Sequence, residues 1–252
     1  MTDYIKVISN KLNDICDFKA PNIPILPEVV NNDVVKNYLG NIKTIPVGVE
    51  KETLKVATVD LGNSFMYNIT GEDITSNPEF IRGIINNCLT VKNSEFVIFD
   101  SITLLEDMTK DNVTYSTDAC YKSIDKLTEL VGTTDPDKTI FAMIIGVNSI
   151  MNKLSAIEKG KLQKLIMEAK TKNNIKVLIV ENIDIIKSIN FEPWYKGNAD
   201  LSEGVWLGNG IGNQFTLKVT TNSRLLRAEV EPGFGYCIRK GRASLIKLMS
   251  DE

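Results

Sequence analysis

The stretch FMYNITGEDITSNPEFIRGIINNCL, residues 65–89, decides the fold. An apolar run closing on Ile-Thr-Gly, a tight polar loop and then helical spacing is the setting of a phosphate-binding loop. Such a loop needs glycines so that backbone N–H groups converge on the anion. It also needs a lysine to reach the β- and γ-phosphates and a Ser or Thr hydroxyl for Mg²⁺. Set against GxxxxGK[ST], Gly71 keeps the first glycine and is followed by Glu72, Asp73, Ile74 and Thr75. Ser76 then stands at the second glycine, Asn77 at the lysine and Pro78 at the magnesium-binding hydroxyl. Glu72 and Asp73 place two negative charges where a triphosphate would lie. On local chemistry alone the segment is better explained as a strand-to-helix connection, with Ser76 or Asn77 as N-cap, Pro78 as the first helical residue and Glu79 in the first turn.

On either side of this segment, short β-branched or apolar runs alternate with helical patterns. Strands are expected over residues 44–49, 55–60, 64–69, 95–99, 139–145 and 176–180, and helices over 77–90, 117–131 and 156–171. Runs such as IFAMII and VLIV are apolar on both faces, which implies a sheet covered on both sides. The alternation predicts an α/β fold with a mainly parallel central sheet, right-handed crossovers and flanking helices. At the end of the 139–145 run, where a nucleotide-hydrolysing enzyme would carry an acidic pair for Mg²⁺ and the attacking water, Gly146, Val147 and Asn148 stand instead. Asp100, closing FVIFD, either faces the crevice at the carboxyl ends of the strands or caps the following turn, the second being the simpler reading.

The two ends of the chain read differently. Tyr4, Ile5, Val7, Ile8, Leu12 and Ile15 suit one apolar helical stripe, and Pro21, Pro24 and Pro27 then force an extended strap. The last quarter is rich in glycine and aromatics, and GFGYCIRKGRASLIKLM predicts a hairpin turning at Lys240 and Gly241. Trp206, between Val205 and Leu207, reads as the plug of a small core, whereas Trp194 and Tyr195 are as readily partner-binding anchors as core. Between residues 214 and 248 seven basic residues, including Arg239, Lys240 and Arg242, face only Glu229 and Glu231. That window is a candidate docking face for acidic partner segments or for nucleic acid, with Arg224 or Arg227 alternatively acting on a neighbouring subunit's nucleotide, although most such windows are solvated surface. A single domain is expected, with a helix and strap over 1–43, the α/β core over 44–190 and the aromatic segment with its hairpin over 191–252.

Composition narrows the chemistry. The chain has 252 residues, a formal net charge of −3, 43% apolar residues and no histidine. Without histidine there is no Ser-His-Asp or Cys-His nucleophile and no imidazole ligand for zinc. The four cysteines, Cys16, Cys88, Cys120 and Cys237, form no CxxC pair and read as reduced thiols. No apolar run approaches the length of a membrane span and the N-terminus lacks a secretory pattern, so a soluble, unprocessed chain with no metal site is expected.

With these residues in place, the chain resembles the C-terminal ATPase-like domain of the EssC family, the FtsK/SpoIIIE-type membrane ATPases of Gram-positive type VII secretion. The blocks that carry the resemblance are APNIPILPE, IPVGVEKETLKVATVDL, the ITG loop with EFIRGII, EFVIFD, EPWYKGNADLSEGVWLGNG and GFGYCIRKGRASLIKL. The resemblance implies a RecA-like P-loop NTPase fold in the cytoplasmic part of a membrane-anchored secretion protein tied to virulence. It also implies effector recognition, regulation of export, adjoining ATPase domains as partners and oligomers in the full-length protein. Gly71 through Pro78 would be a degenerate nucleotide loop, and Gly146 and Asn148 a degenerate acidic-pair site. ATP with Mg²⁺ is then not expected to be turned over, and no nucleic acid partner is expected. An active FtsK-type motor, translocating protein or DNA, is the alternative.

Overall fold

The computed structural model describes residues 25–105, 108–133, 135–221 and 224–251, together with Tyr4, Lys6, Val7, Ile8 and Lys11, which are helical. The rest of the expected N-terminal helix, and Pro21 and Pro24 of the strap, lie outside the described residues. Ten strands form one sheet: β1 Ile45–Glu50, β2 Val56–Val59, β3 Met66–Gly71, β4 Ser94–Asp100, β5 Val113–Thr117, β6 Thr139–Ile145, β7 Ile175–Asn182, β8 Gly204–Leu207, β9 Phe234–Arg239 and β10 Arg242–Leu248. Their order is β2-β1-β10-β9-β8-β3-β7-β6-β4-β5. From β8 to β5 every pairing is parallel, and from β8 through β9, β10 and β1 to β2 every pairing is antiparallel.

Beyond the N-terminal residues already named and a single helical turn at Asn32–Val35, the α-helices among the described residues are α1 Pro78–Leu89, α2 Tyr121–Gly132, α3 Val147–Lys153, α4 Ala156–Ala169 and α5 Ile183–Ile189. Period-2 alternation explains why the central strands read as unbroken apolar runs. Phe141, Met143 and Ile145 of β6 pack on the α1 side with Phe80, Ile84 and Cys88, while Ile140, Ala142 and Ile144 pack on the α2 and α4 side with Leu127, Leu162 and Ile166. Ser155 and Glu158 form a reciprocal capping box that fixes the start of α4. Among the described residues, no helix is long and apolar enough to cross a membrane.

Three expectations need correction. β1 and β2 do not belong to the parallel alternation. They join β9 and β10 in a four-stranded antiparallel wing, because the connection from β1 to β2 is a short turn with no room for a crossover helix. Residue 117, expected to open a helix, closes β5, whose Val-Thr-Tyr-Ser-Thr sequence is a parallel edge strand beside β4. Strand β8 and helices α3 and α5 went unseen because none exceeds seven residues. The hairpin is as expected: Lys240 and Gly241 both have positive φ, 49° and 78°, which a two-residue turn matching the strand twist requires.

At the foot of the sheet, the carboxylate of Glu95 meets Lys126 at 3.1 Å and also Lys138. Burial would raise its pKa, but the two ammonium groups outweigh burial and hold it below the ordinary value. A depressed folded pKa contributes stability above the unfolded pKa and loses it as pH falls. Glu95→Gln is therefore expected to cost about 1 kcal/mol or less near pH 7, given the solvent exposure of both lysines. In urea titrations the gap to the wild type should close as pH falls from about 5 to about 3.

Candidate functional site

The carboxyl ends of β3, β7 and β6 form a crest where ligands bind in open α/β sheets. Gly71 ends β3, and a Cβ there would lie 2.8 Å from the carbonyl oxygen of Leu207. The glycine is thus required by the close approach of β8. The following residues make a 3₁₀ turn, Ile74–Ser76, in which Asp73 accepts the N–H of Thr75 at 2.9 Å and its hydroxyl at 2.7 Å. Ser76 donates to the carbonyl of Asp73, and Asn77 donates to the Ser76 hydroxyl. Ile74 is buried, and its N–H donates to Oδ1 of Asn182 at 2.9 Å. Helix α1 then opens with Pro78 at its first position, which has no N–H, and with Asn77 before it making no side-chain cap. The exposed carboxylate of Glu72 packs on Gly210, where a Cβ would fall 2.1 Å from Oε1.

Neighbouring β7 ends in Glu181 and Asn182, and these two residues tie the crest together. The hydroxyl of Thr70 donates to the carbonyl of Glu181 at 2.6 Å. The buried Glu181 carboxylate accepts the N–H of Asn148 at 3.0 Å and of Asn182 at 2.8 Å. Burial raises its pKa, and the backbone N–H groups of Asn148, Asn182 and Val147 pull against that rise. Gly146 has φ +74°, and a Cβ there would lie 2.6 Å from Ile102. Its carbonyl accepts the Ser101 hydroxyl at 3.0 Å. Lys153, closing α3, donates to the Ser101 carbonyl at 2.7 Å and pairs with Asp118 at 3.0 Å.

The sequence candidates therefore separate. Residues 71–78, Gly146 and Asn148 converge on one crest. Asp100 does not reach the crevice: it is fully buried, and both of its oxygens accept hydrogen bonds from the turn that follows it. Trp194 and Tyr195 are also inside, at 2% and 1% exposure, with the Tyr195 hydroxyl on Asn68 at 2.9 Å. A surface-anchor role for that pair is corrected to core. Trp206 is core as well, with no exposure. Arg239, Lys240 and Arg242 are exposed at the hairpin, far along the strands from the crest. The residues that sequence reading missed are Glu181 and Asn182. Their signal was an acid and an amide closing the apolar run IKVLIVEN, at the position that meets Gly71 in register.

Beside the loop, a cleft of about 380 Å³ is lined by Glu72, Asp184, Lys187, Trp206, Gly210 and Phe215, among others. Among the described residues, no cluster of three or more Asp, Glu, Cys or His side chains could hold a metal ion. Burial raises the pKa of all three described cysteines, Cys120 to about 11 and Cys237 to about 12, so Cys88, Cys120 and Cys237 are unreactive thiols packed as apolar groups.

No known family's sequence profile matches the chain, and no curated protein does so. Solved structures do match. EssC ATPases 2 and 3 from Geobacillus thermodenitrificans align over 99% of this chain and 50% of that one, with TM-score 0.77 and 15% identity. EccC ATPases 2 and 3 from Thermomonospora curvata, in complex with a signal sequence peptide, align over 93% and 45%, with TM-score 0.65 and 16% identity. The pCW3 conjugation coupling protein TcpA, in monomer form with ATPγS, aligns over 90% and 71%, with TM-score 0.61 and 12% identity. The chain spans about half the length of the EssC and EccC structures it matches. Its fold is the RecA-like α/β fold of the EssC and EccC ATPase domains.

Proposed function

We propose that the chain is a C-terminal module of a membrane-anchored type VII secretion ATPase, facing the cytoplasm, in which the nucleotide crevice is closed and the fold serves effector recognition and regulation of export. The observation that carries this reading is the hydrogen bond from the Ile74 N–H to Asn182. A working phosphate loop turns its N–H groups outward onto the anion. Here one of them is spent on a neighbouring strand, another is spent on Asp73, and Pro78 offers none. Asn77 carries no charge to reach a phosphate, and the carboxylates of Glu72 and Asp73 would repel one. The crest residues do not fit a Mg²⁺-triphosphate, and hydrolysis would lack its cation, its metal ligand and its base.

Cargo recognition rests on the fold shared with an EccC that was solved with a signal sequence peptide. The adjoining ATPase domains of the same protein are the second expected partner, in line with the two-ATPase structures. Adding Mg-ATP at about 1 mM is expected to leave the melting temperature unchanged, since only a ligand present well above its Kd raises it. Micromolar binding with turnover would overturn the closed-crevice reading. Asn77→Lys alone should not create affinity, because the N–H of Ile74 stays engaged. Pull-down against cognate effectors checks the other half, and retention of none at high concentration would defeat it.

A further inference from the structure

The loop that leaves β8 reads Gly208-Asn209-Gly210-Ile211, and it holds the only Asn-Gly pair in the sequence. An asparagine before glycine is open to attack on its own side chain. With no Cβ on the following residue, that residue's backbone nitrogen can swing onto the side-chain amide carbon. Asn63, Asn93 and Asn148 precede serine instead, whose side chain crowds the same approach. Whether the attack takes place in the folded protein depends on what surrounds the two groups.

Around Asn209 the fold supplies the parts of an acyl-transfer site. The electrophile is held in place: Oδ1 of Asn209 accepts the N–H of Val230 at 2.5 Å, and the main-chain carbonyl of Asn209 accepts the indole N–H of Trp206 at 2.7 Å. The Val230 N–H sits on the oxygen that becomes negative when the amide carbon is attacked, which is the place of an oxyanion donor. Among the described residues, neither the Gly210 N–H nor the Asn209 Nδ2 is held by a hydrogen bond, while the Gly210 carbonyl is fixed by the N–H of Asn213 at 2.9 Å. Nucleophile and leaving group are therefore free. A carboxylate stands beside them: Oε1 of the exposed Glu72 lies 2.1 Å from where a Cβ on Gly210 would fall. A Cβ is about 2.5 Å from its own residue's nitrogen, so that oxygen is within about 5 Å of the Gly210 nitrogen. A turn of the Glu72 side chain closes the gap, as the hydrogen bonds of a general base commonly tighten only in the reacting state.

We propose that Asn209 is a self-modification site, at which Glu72 is the general base for attack of the Gly210 nitrogen on the Asn209 side chain. The N–Cγ bond forms as the Gly210 proton passes to the Glu72 carboxylate. The Cγ–Nδ2 bond then breaks, and the same proton leaves with the amide nitrogen as ammonia. The resulting succinimide takes up one solvent water and opens at either carbonyl. It gives aspartate where the N–Cγ bond breaks, and isoaspartate where the bond to the main-chain carbonyl breaks. Either product adds a carboxylate beside the cleft that already holds Glu72 and Asp184, so the cleft becomes more negative with the age of the molecule. This goes beyond the secretion reading and does not depend on it.

Peptide mass mapping of the intact chain, aged in heavy-oxygen water at physiological temperature and pH, tests the assignment. The peptide bearing Asn209 is expected to gain one labelled oxygen ahead of those bearing Asn63, Asn93 and Asn148. It should divide into aspartyl and isoaspartyl forms, the second of which accepts a methyl group from isoaspartyl methyltransferase. Glu72→Gln should slow the conversion at least about tenfold in the folded protein and leave it unchanged in urea that unfolds the chain. Circular-dichroism melts of E72Q should match the wild type, since Glu72 is exposed. An Asn209 that stays an amide while the Asn-Ser sites convert overturns the proposal. So does a wild type that converts no faster folded than in urea, and so does an E72Q that keeps the wild-type rate when folded. Aspartate without isoaspartate would mean direct hydrolysis by water, and that too defeats the ring closure.

Discussion

Trp206→Ala is expected to cost about 3–5 kcal/mol, the range for deleting a fully buried tryptophan. Trp206 has no solvent exposure and lies on the four-residue strand β8, paired with Thr70 of β3 on one side and Tyr236 of β9 on the other. It is therefore packed where the parallel sheet passes into the antiparallel wing. Its indole N–H donates to the carbonyl of Asn209 at 2.7 Å, and the Asn209 side chain accepts the N–H of Val230 at 2.5 Å. The loss thus combines a cavity with the release of the glycine-rich loop that carries Gly208 and Gly210 at positive φ. For a chain of this size the melting temperature should drop by roughly 10 °C, at about 2–4 °C per kcal/mol. Trp206→Phe keeps most of the volume but not the donor, and should lose about 1–2 kcal/mol. An alanine variant within about 1 kcal/mol of the wild type would show that β8 is not the seam between the two halves of the sheet.

How far the fold was legible in the sequence follows from length and period. Strand β6, residues Thr139–Ile145, was read to the residue, because six consecutive apolar positions after Thr139, flanked by a charged turn and a glycine, admit little else. The long helices α1 and α4 were read within two residues by their 3.6-residue spacing and, in α1, by Pro78 at its start. Strand β5 was missed because its apolar face is only two residues long, Val113 and Tyr115, set among Thr114, Ser116 and Thr117. The antiparallel wing was half legible: the hairpin was visible from Lys-Gly, but its pairing with β1 joins residues about two hundred apart in sequence, a separation no local pattern records. The candidate site was legible in its substitutions and not in its closure. Ser76, Asn77 and Pro78 can be read as replacements one by one. That Asn182 takes the N–H of Ile74 follows only from the parallel register of β3 and β7.

Asp100→Ala separates a structural from a ligand-binding carboxylate, and the expected loss is about 3 kcal/mol. Oδ1 accepts the N–H of Leu104 at 2.9 Å, and Oδ2 accepts the N–H of Leu105 at 2.8 Å and the hydroxyl of Tyr115 at 3.1 Å. Leu105 is fully buried and Thr103 in the same turn holds φ +55°. Removing the carboxylate strands one buried main-chain donor, the N–H of Leu105, and one part-buried donor, the N–H of Leu104, at about 1–3 kcal/mol for a fully buried unsatisfied group. It also frees a turn that holds a left-handed threonine at a cost of order 1 kcal/mol. Asp100→Asn retains one acceptor and should lose less. Tyr115→Phe removes the hydroxyl that also donates to the Leu105 carbonyl at 2.6 Å, so the two changes share partners and should not add. Urea denaturation of the two single variants and the double variant gives the coupling directly. A coupling near zero, with wild-type stability in Asp100→Asn, would contradict the cap and return Asp100 to the crevice as a ligand-facing group. A coupling above about 0.5 kcal/mol would fix it as the clamp that holds residues 101–105 beneath α3, with Lys153 and Ser149 closing from above onto the Ser101 carbonyl.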